Sequence, residues 1–194
     1  RFEDEDTLVV TVPEESPASL KRVQLPSPRK AEYQPPEAGV KIDGALYPVE
    51  IGGPEGYVDR SGKIIVAPQF ESAGYFSEGL AYVQFGGKYG FIDEAGKMVI
   101  APQFEDASPF RHGRSRVRVK GKYGFIDEAG KMVIEAKYDS AWTFGDELTG
   151  VCVEDKWGCV DRTGKVVIEI KYGKIYWFSE GLAAARLEGK YGFL

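Results

Sequence analysis

Residues 89–100 read Tyr-Gly-Phe-Ile-Asp-Glu-Ala-Gly-Lys-Met-Val-Ile, and this stretch decides the fold of the chain. The same residues recur without a change at 123–134, and looser copies begin at Glu55 and Trp157. A clipped copy at 191–194, Tyr-Gly-Phe-Leu, starts 34 residues after Trp157, which is the spacing between all the copies. A fixed period of this kind indicates a repeat architecture.

Glycine and proline exclude a helical repeat. Gly90 and Gly96 stand among aromatic and β-branched residues, and each would cost a helix about 1 kcal/mol relative to alanine. Pro68 and Pro102 would break a helix further. The repeat therefore predicts β-strands.

Each repeat predicts a three-stranded antiparallel meander. Residues 89–93 and 97–100 form two strands, joined by a three-residue loop in which Gly96 adopts the left-handed conformation. Asp93 is expected to accept hydrogen bonds from the loop amides. Residues 80–85 form the preceding strand and lead into residue 89 through a tight turn.

Both faces of the predicted hairpin are apolar. The expected cross-strand pairs are Ile92–Met98 and Gly90–Ile100 on one face and Phe91–Val99 on the other. A sheet with one solvated face would alternate apolar and polar residues instead. Each small sheet is therefore expected to lie between two neighbours, in a stacked or a radial arrangement.

The repeat defines the predicted domain organisation. Units begin at Leu46, Leu80, Ser115, Val151 and Ala183, so residues 45–194 form an all-β repeat domain. A five-sheet propeller-like array is favoured, with an open stack of β-repeats as the alternative. Residues 1–44 form an N-terminal arm with a proline-rich linker, either docked or disordered, and residues 7–12 are a candidate strand for closing the ring beside the last unit.

The net charge and the lengths of the apolar runs argue against two classes of function. The net charge of −5 disfavours nucleic-acid binding, because nucleic-acid binders are usually basic. No apolar run approaches the roughly 20 residues of a membrane-spanning helix. The sequence starts at Arg1 rather than methionine, so a leader or an anchor removed by processing would leave no trace in it.

No catalytic, cofactor or metal site is expected, so the protein is predicted not to be an enzyme. The one histidine, His112, cannot build a metal cluster or a triad alone. The repeated aspartates share one turn position, whereas a catalytic pair needs two different environments. Cys152 and Cys159 lie on one face of neighbouring strands, as small core residues or as a cross-strand disulfide.

Residues 156–168, Lys-Trp-Gly-Cys-Val-Asp-Arg-Thr-Gly-Lys-Val-Val-Ile, resemble the bacterial WG-repeat family. The Phe-Ser-Glu-Gly-Leu-Ala blocks at 76–81 and 178–183 resemble the same unit, and the resemblance covers roughly residues 45–194. Only one copy carries the tryptophan; tyrosine replaces it in three copies, and Glu55 departs from the pattern. The resemblance implies a β-repeat scaffold of envelope-associated or multidomain bacterial proteins, an extracytoplasmic location, and no catalytic residues.

Departures from the repeat mark two candidate binding features. One is a basic row in a single unit: Arg111, Arg114, Arg116 and Arg118. Strand alternation puts the last three on one side, where they would bind a carboxylate-rich partner or a phosphate. The alternative is an edge protected by charge, or ion pairs to a neighbouring sheet.

The other feature is a set of large aromatic residues, Trp142, Tyr176 and Trp177, in loops where earlier units have mostly small residues. On one rim these rings would anchor a partner; alternatively they pack under the loops as core. The repeated phenylalanines at 76, 110, 144 and 178 are expected in the core.

The favoured function is a non-catalytic module that binds another protein through these loops or the basic strand, a role that includes an inhibitor or an assembly factor. One alternative is binding of a carbohydrate or cell-envelope polymer through Trp142, Tyr176 and Trp177. The other is a structural or assembly subunit that uses its N-terminal arm.

Overall fold

The computed structural model describes residues 7–9, 22–24, 33–36, 45–145 and 147–194. The strands in these residues are β1 (Thr7–Val9), β2 (Arg22–Gln24), β3 (Tyr47–Glu50), β4 (Glu55–Val58), β5 (Ile64–Phe70), β6 (Ser72–Ala73), β7 (Leu80–Phe85), β8 (Lys88–Asp93), β9 (Met98–Phe104), β10 (Asp106–Ala107), β11 (Ser115–Val119), β12 (Lys122–Ile126), β13 (Met132–Tyr138), β14 (Ser140–Ala141), β15 (Leu148–Val153), β16 (Lys156–Asp161), β17 (Val166–Tyr172), β18 (Lys174–Ile175), β19 (Ala184–Leu187) and β20 (Lys190–Phe193). Within this part of the chain, no helix occurs that is long and apolar enough to span a bilayer.

Eighteen of these strands form five antiparallel sheets in sequence order: β3–β5, β6–β9, β10–β13, β14–β17 and β18–β20, here sheets 1 to 5. Sheets 1 to 4 contain the predicted three-stranded meander, and sheet 5 contains its first two strands. We call its members the leading strand (β3, β7, β11, β15, β19), the glycine strand (β4, β8, β12, β16, β20) and the bulged strand (β5, β9, β13, β17). The all-β repeat prediction is confirmed.

A two-residue short strand (β6, β10, β14, β18) extends the meander and was not predicted. It pairs with the leading strand on the side opposite the glycine strand; Ala73, for example, pairs with Val83. Two residues give too little periodicity to be recognised in a sequence, so only the surrounding packing defines this element.

The predicted hairpin turn is confirmed. Asp93 Oδ1 accepts hydrogen bonds from the amides of Ala95 (3.0 Å) and Lys97 (2.8 Å). Gly96 has a φ of 74°, and its amide donates to the Asp93 carbonyl at 2.8 Å. The repeated aspartate therefore serves the turn.

The predicted cross-strand register is only partly right. Ile92 pairs with Met98 as expected, but Phe91 pairs with Ile100, so the Gly90–Ile100 and Phe91–Val99 pairs are wrong. The bulged strand runs on to Phe104 because residues 101–103 arch over Gly90. A Cβ on Gly90 would lie 2.4 Å from the Ile100 carbonyl oxygen, so glycine is needed for this close approach.

Consecutive sheets enclose four separate apolar cores, as the two apolar faces predicted. Phe91 packs in the core between sheets 2 and 3, whereas its neighbour Ile92 packs in the core between sheets 1 and 2. We call the face turned toward the next sheet the forward face. Rings join across each interface: Phe91 meets Phe110 at 4.9 Å, and Phe125 meets Phe144 at 4.8 Å.

A carboxylate also ties sheet 2 to sheet 3. Glu78 accepts hydrogen bonds from the amides of His112 (2.6 Å) and Gly113 (2.8 Å), one repeat further along the chain. Ser77 Oγ donates to the Phe110 carbonyl at 2.7 Å. The interface therefore combines an apolar core with polar contacts at its rim.

The predicted closing strand is wrong for Thr7–Val9, while residues 10–12 lie outside the described ones. Thr7–Val9 pairs with Arg22–Gln24, and in the described residues β20 pairs only with β19. Pairing of Thr7–Val9 with the nearby Arg22–Gln24 loses less loop-closure entropy than pairing with β20 would, because fewer residues separate the two strands. A propeller-like ring therefore has no support from this strand.

Part of the N-terminal arm docks on sheets 1 and 2. Tyr33 stacks on Phe70, with the ring centroids 6.1 Å apart, and its hydroxyl donates to the Gly96 carbonyl. Gln34 and Gln69 exchange two hydrogen bonds, of 2.7 and 2.9 Å. The docked alternative therefore holds for residues 33–36; most of the arm lies outside the described residues.

Replacement of Gly90 by alanine should destabilise the protein, whereas the same change at Gly192 should not. A Cβ at position 90 would overlap backbone atoms of the bulged strand, at 2.4 and 2.7 Å from their centres. We expect the free energy of unfolding to fall by about 2–3 kcal/mol, a usual cost of overfilling a packed site. Urea unfolding measures it. Gly192→Ala is the matched control, because a Cβ there meets nothing within 4 Å in the described chain, and equal midpoints for the two variants would contradict the close approach.

Stability should depend on the ionisation of Asp161. The Thr163 hydroxyl donates to its carboxylate at 2.6 Å, and this hydrogen bond is the largest of those that lower the pKa of Asp161. A lowered folded-state pKa stabilises the protein above the ordinary aspartate pKa of about 4, and this contribution disappears as the pH falls through the folded-state value. Wild type should therefore lose its advantage over Asp161→Asn in urea unfolding as the pH falls from 7 to 2.5. An advantage independent of pH would contradict this role.

Candidate functional site

Trp142 fills a packing slot that a different residue fills in sheet 2. The slot lies between a short strand and its leading strand, where Trp142 faces Gly150 and Gly74 faces Tyr82. A Cβ on Gly150 would lie 2.5 Å from the Trp142 ring, and one on Gly74 would lie 2.4 Å from the Tyr82 ring. Each slot therefore holds one large ring, contributed from opposite strands. The core interpretation holds for much of Trp142.

The other two aromatic residues of this set lie at the surface. Trp177 meets Trp142 at 4.6 Å between ring centroids, and 61% of it remains exposed. Trp157, on β16, stacks on Trp142 with the ring centroids 5.3 Å apart. Tyr176 is exposed, with the Lys174 ammonium 4.7 Å from its ring centroid. Hydrogen bonding with Lys174, and then with Tyr191, lowers the pKa of Tyr176.

An exposed and largely apolar surface lies on the forward face of sheet 5, which we call the terminal face: Leu182, Ala184, Arg186, Tyr191 and Phe193. Each of these residues repeats a forward position of the earlier sheets. Phe193 is 78% exposed, whereas its equivalents Phe91 and Phe125 are fully buried. Tyr191 is 66% exposed and Leu182 is 55% exposed. Their equivalents in sheet 2 pack against the core between sheets 2 and 3. The terminal face therefore has the composition of a core and the exposure of a surface.

Phe178 was predicted to lie in the core, but it is exposed. Its equivalents Phe76, Phe110 and Phe144 each meet an aromatic ring of the preceding glycine strand. Cys159 occupies that position in sheet 4, so Phe178 has a small partner and remains 38% exposed. Its exposure adds to the apolar character of the last repeat.

The basic row is largely engaged within the protein. Arg116 forms a salt bridge with Asp106 at 3.1 Å and donates to the Ala141 carbonyl of the next sheet at 3.0 Å. The guanidinium groups of Arg116 and Arg118 lie 4.9 and 5.6 Å from the centre of the Tyr123 ring, on one face as predicted. Arg118 also lies 3.9 Å from Glu105. The predicted ion pairs to a neighbouring sheet are therefore not what is found: Asp106 belongs to the same sheet as Arg116 and Glu105 directly precedes it, and the contact of Arg116 with the next sheet is its hydrogen bond to the Ala141 carbonyl.

The other two arginines of the basic row do not share this contact with Tyr123. Arg111 and Arg114 lie in the turn before β11, where their backbones exchange two hydrogen bonds. Arg114 Nη1 donates to the Gly113 carbonyl at 2.8 Å. A shallow depression beside Arg114 is also lined by Asp127 and Glu128, so carboxylates offset its positive charge.

The two cysteines lie in the interior of the repeat domain. Cys152 and Cys159 are buried free thiols, as the core interpretation predicted, and burial raises the pKa of Cys159 to about 11. A protonated buried thiol is a poor nucleophile. In the described residues, no group of three or more His, Cys, Asp and Glu side chains is placed to hold a metal ion.

Sequence reasoning missed the exposed apolar residues of the terminal face, namely Leu182, Tyr191 and Phe193. They are faithful copies of core positions, so the repeat pattern assigned them to the scaffold. The signal available was their place in the fifth unit, after which residues 1–194 contain no further copy of the repeat.

Comparison with known proteins gives one result at the level of the family. The family described as WG containing repeat matches residues 56–89, 89–123, 123–157 and 157–191, in the same 34-residue register as the sheets. No curated protein matches the chain. Because the four matches span well over half of the sequence, this chain belongs to the family of proteins built from WG containing repeats.

Proposed function

We propose that this protein is a non-catalytic interaction module that binds another protein through the terminal face. The observation that carries the proposal is the exposure of Leu182, Tyr191 and Phe193 on a face that is buried in earlier sheets. Large exposed apolar patches are characteristic of binding surfaces. Water contact with this face costs free energy that a partner would recover.

The side chains of this surface suit a protein partner. Tyr191 and Phe193 are rigid rings, the kind of side chain that anchors protein interfaces. Arg186, which lies opposite Tyr191, and Lys174 near Tyr176 give the apolar centre a charged border. An apolar centre with a polar rim is the usual anatomy of such interfaces.

A protein partner accounts for the surface better than a carbohydrate does. A sugar site combines a stacking ring with polar groups that hydrogen-bond the hydroxyls. Trp142, one of the three rings available for stacking, is itself packed against Trp157 and Trp177. The most exposed aliphatic residue of the terminal face, Leu182, offers no polar group.

The basic row is a weaker candidate for the same role. Binding of an acidic partner by Arg116 would require it to leave Asp106 and the Ala141 carbonyl. The first contact lies within sheet 3 and the second joins sheet 3 to sheet 4, so a partner would compete with the scaffold. A partner on the terminal face would displace no sheet of the described chain.

The double variant Tyr191→Ala/Phe193→Ala should lose a bound protein that wild type retains. Both side chains are mostly exposed, so we expect little change in folding and at least about a tenfold loss of affinity, given the usual weight of aromatic anchors. The measurement is affinity capture from extract of the native source, followed by identification of the captured protein and titration with it purified.

Tyr75→Ala is the matched control for this experiment. Tyr75 occupies the same repeat position as Trp177 and is 71% exposed, but it lies on sheet 2, away from the terminal face. The captured protein should be retained by Tyr75→Ala and by Arg118→Glu. Identical captured proteins for wild type and the double variant would overturn the proposal.

A further inference from the structure

We infer that the groove between sheets 2 and 3 is a second binding site, which takes an extended Tyr-x-Pro-Pro segment of another protein. The template for this ligand is the chain's own arm, because residues 33–36, Tyr-Gln-Pro-Pro, occupy the equivalent groove between sheets 1 and 2. We call the occupied groove the first groove and its copy the second groove. The terminal face lies on sheet 5, so this site is distinct from it.

Two side chains anchor the arm in the first groove. Tyr33 stacks on Phe70, and its hydroxyl donates to the Gly96 carbonyl. Pro36 lies against Gly96, where a Cβ would be 2.6 Å from the Pro36 ring. A proline-rich chain favours the polyproline II conformation, in which residues three apart lie on the same side. This period explains why Tyr33 and Pro36 are half-buried while the two residues between them are exposed.

A single glutamine side chain holds the backbone of the arm. Gln69 Oε1 accepts a hydrogen bond from the Gln34 amide at 2.7 Å, and Gln69 Nε2 donates to the Gln34 carbonyl at 2.9 Å. Because both partners are backbone atoms, this contact does not select the side chain at position 34. The segment that fits the groove is therefore a tyrosine, any residue, a proline that keeps the chain extended, and the anchoring proline.

The walls of the second groove have the same sequence as those of the first. Residues 67–70, Ala-Pro-Gln-Phe, recur at 101–104, and residues 94–98, Glu-Ala-Gly-Lys-Met, recur at 128–132. The equivalents of the three residues that hold the arm are Gln103, Phe104 and Gly130. Sheet 3 departs from this pattern, with Glu-Ala-Lys-Tyr at 135–138. A lysine side chain has no acceptor for a backbone amide, so the groove between sheets 3 and 4 lacks the backbone contact.

The second groove is uncovered in the described chain. Val99 is 43% exposed, whereas its equivalent in the first groove, Ile65, is 5% exposed. Gly130 is half-buried, whereas the equivalent glycine beneath the arm is buried. Gln103 is exposed, and its Nε2 donates to the Ala101 carbonyl of its own strand at 3.3 Å. The side chain that would hold a peptide backbone therefore makes a long local hydrogen bond instead.

The arm of a second copy is a less suitable occupant than another protein. In each copy, residues 33–36 are already held on sheets 1 and 2 of the same chain. A tethered segment has an effective concentration of the order of 1 mM at its own site, so an exchange between copies would have to overcome that advantage. A Tyr-x-Pro-Pro segment of a different protein bears no such cost.

A fluorescently labelled peptide with the sequence of residues 31–38, Ala-Glu-Tyr-Gln-Pro-Pro-Glu-Ala, tests the inference. Its anisotropy should rise on addition of the full chain and saturate at one peptide per chain, with a Kd below about 1 mM. Gln103→Ala should bind it at least about fivefold more weakly, because two hydrogen bonds to the peptide backbone are lost. Gln103 is exposed, so the urea midpoint of this variant should equal that of wild type.

Gln69→Ala is the matched control, because it removes the same side chain from the groove that the arm already fills. It should bind the peptide as wild type does. Within the peptide, replacement of Tyr33 or Pro36 by alanine should abolish binding. Replacement of Gln34 by alanine should leave the affinity unchanged, because this residue is held through its backbone.

Four results would overturn the inference: no saturable binding below about 1 mM, equal binding by wild type and Gln103→Ala, an equal loss in Gln69→Ala, or a dimer of the free protein that Gln103→Ala dissociates. Tyr191→Ala/Phe193→Ala should bind the peptide as wild type does, and a loss in that variant would place the peptide on the terminal face instead. The groove and the proposed function can therefore fail independently: the peptide tests the groove, and the captured protein tests the terminal face.

Discussion

The structure depends on one constraint: each thin sheet is apolar on both faces and therefore needs a neighbour on each side. Adjacent residues of one strand, Phe91 and Ile92, belong to different cores. Burial of such a side chain is worth about 1.5–3 kcal/mol, so a sheet with one uncovered face loses several such contributions. Stability in this protein is therefore shared between neighbours, as in other repeat proteins.

The close approach at the glycine strand makes this sharing possible. Residues 101–103 arch over Gly90, and this bulge allows the same strand to pair again at Phe104. The turn at Asp93 sets the start of the bulged strand, because its carboxylate fixes the Ala95 and Lys97 amides. Turn, bulge and core thus act as one unit, which sheets 1 to 4 repeat.

Much of this fold could be predicted from the sequence. The period, the Asp93 turn and the apolar residues on both faces follow from local rules, and the structure has all three. The register beyond Ile100 could not be predicted, because the bulge depends on which backbone crosses Gly90. The short strands are too brief for periodicity, and the pairing of Thr7–Val9 with Arg22–Gln24 is set by competition between two possible partners.

The candidate site was harder to predict for a physical reason. Trp142, Tyr176 and Trp177 differ from the repeat and so attracted attention, yet Trp142 serves the packing of its slot. Phe193 is a copy of Phe91, and its importance comes from the absence of a covering sheet in the described chain rather than from its identity. In a repeat array, a repeated core position becomes a surface position wherever a sheet has no covering neighbour.

Amide hydrogen exchange of the free protein tests this dependence on neighbours most directly. The account predicts slow exchange in the glycine strands β8, β12 and β16, each covered on both faces. It predicts exchange faster by at least about a hundredfold in β20, whose forward face and outer edge are open in the described chain. Protection of β20 equal to that of β12 would show that a sheet can be stable with one apolar face uncovered. That result would contradict the central claim.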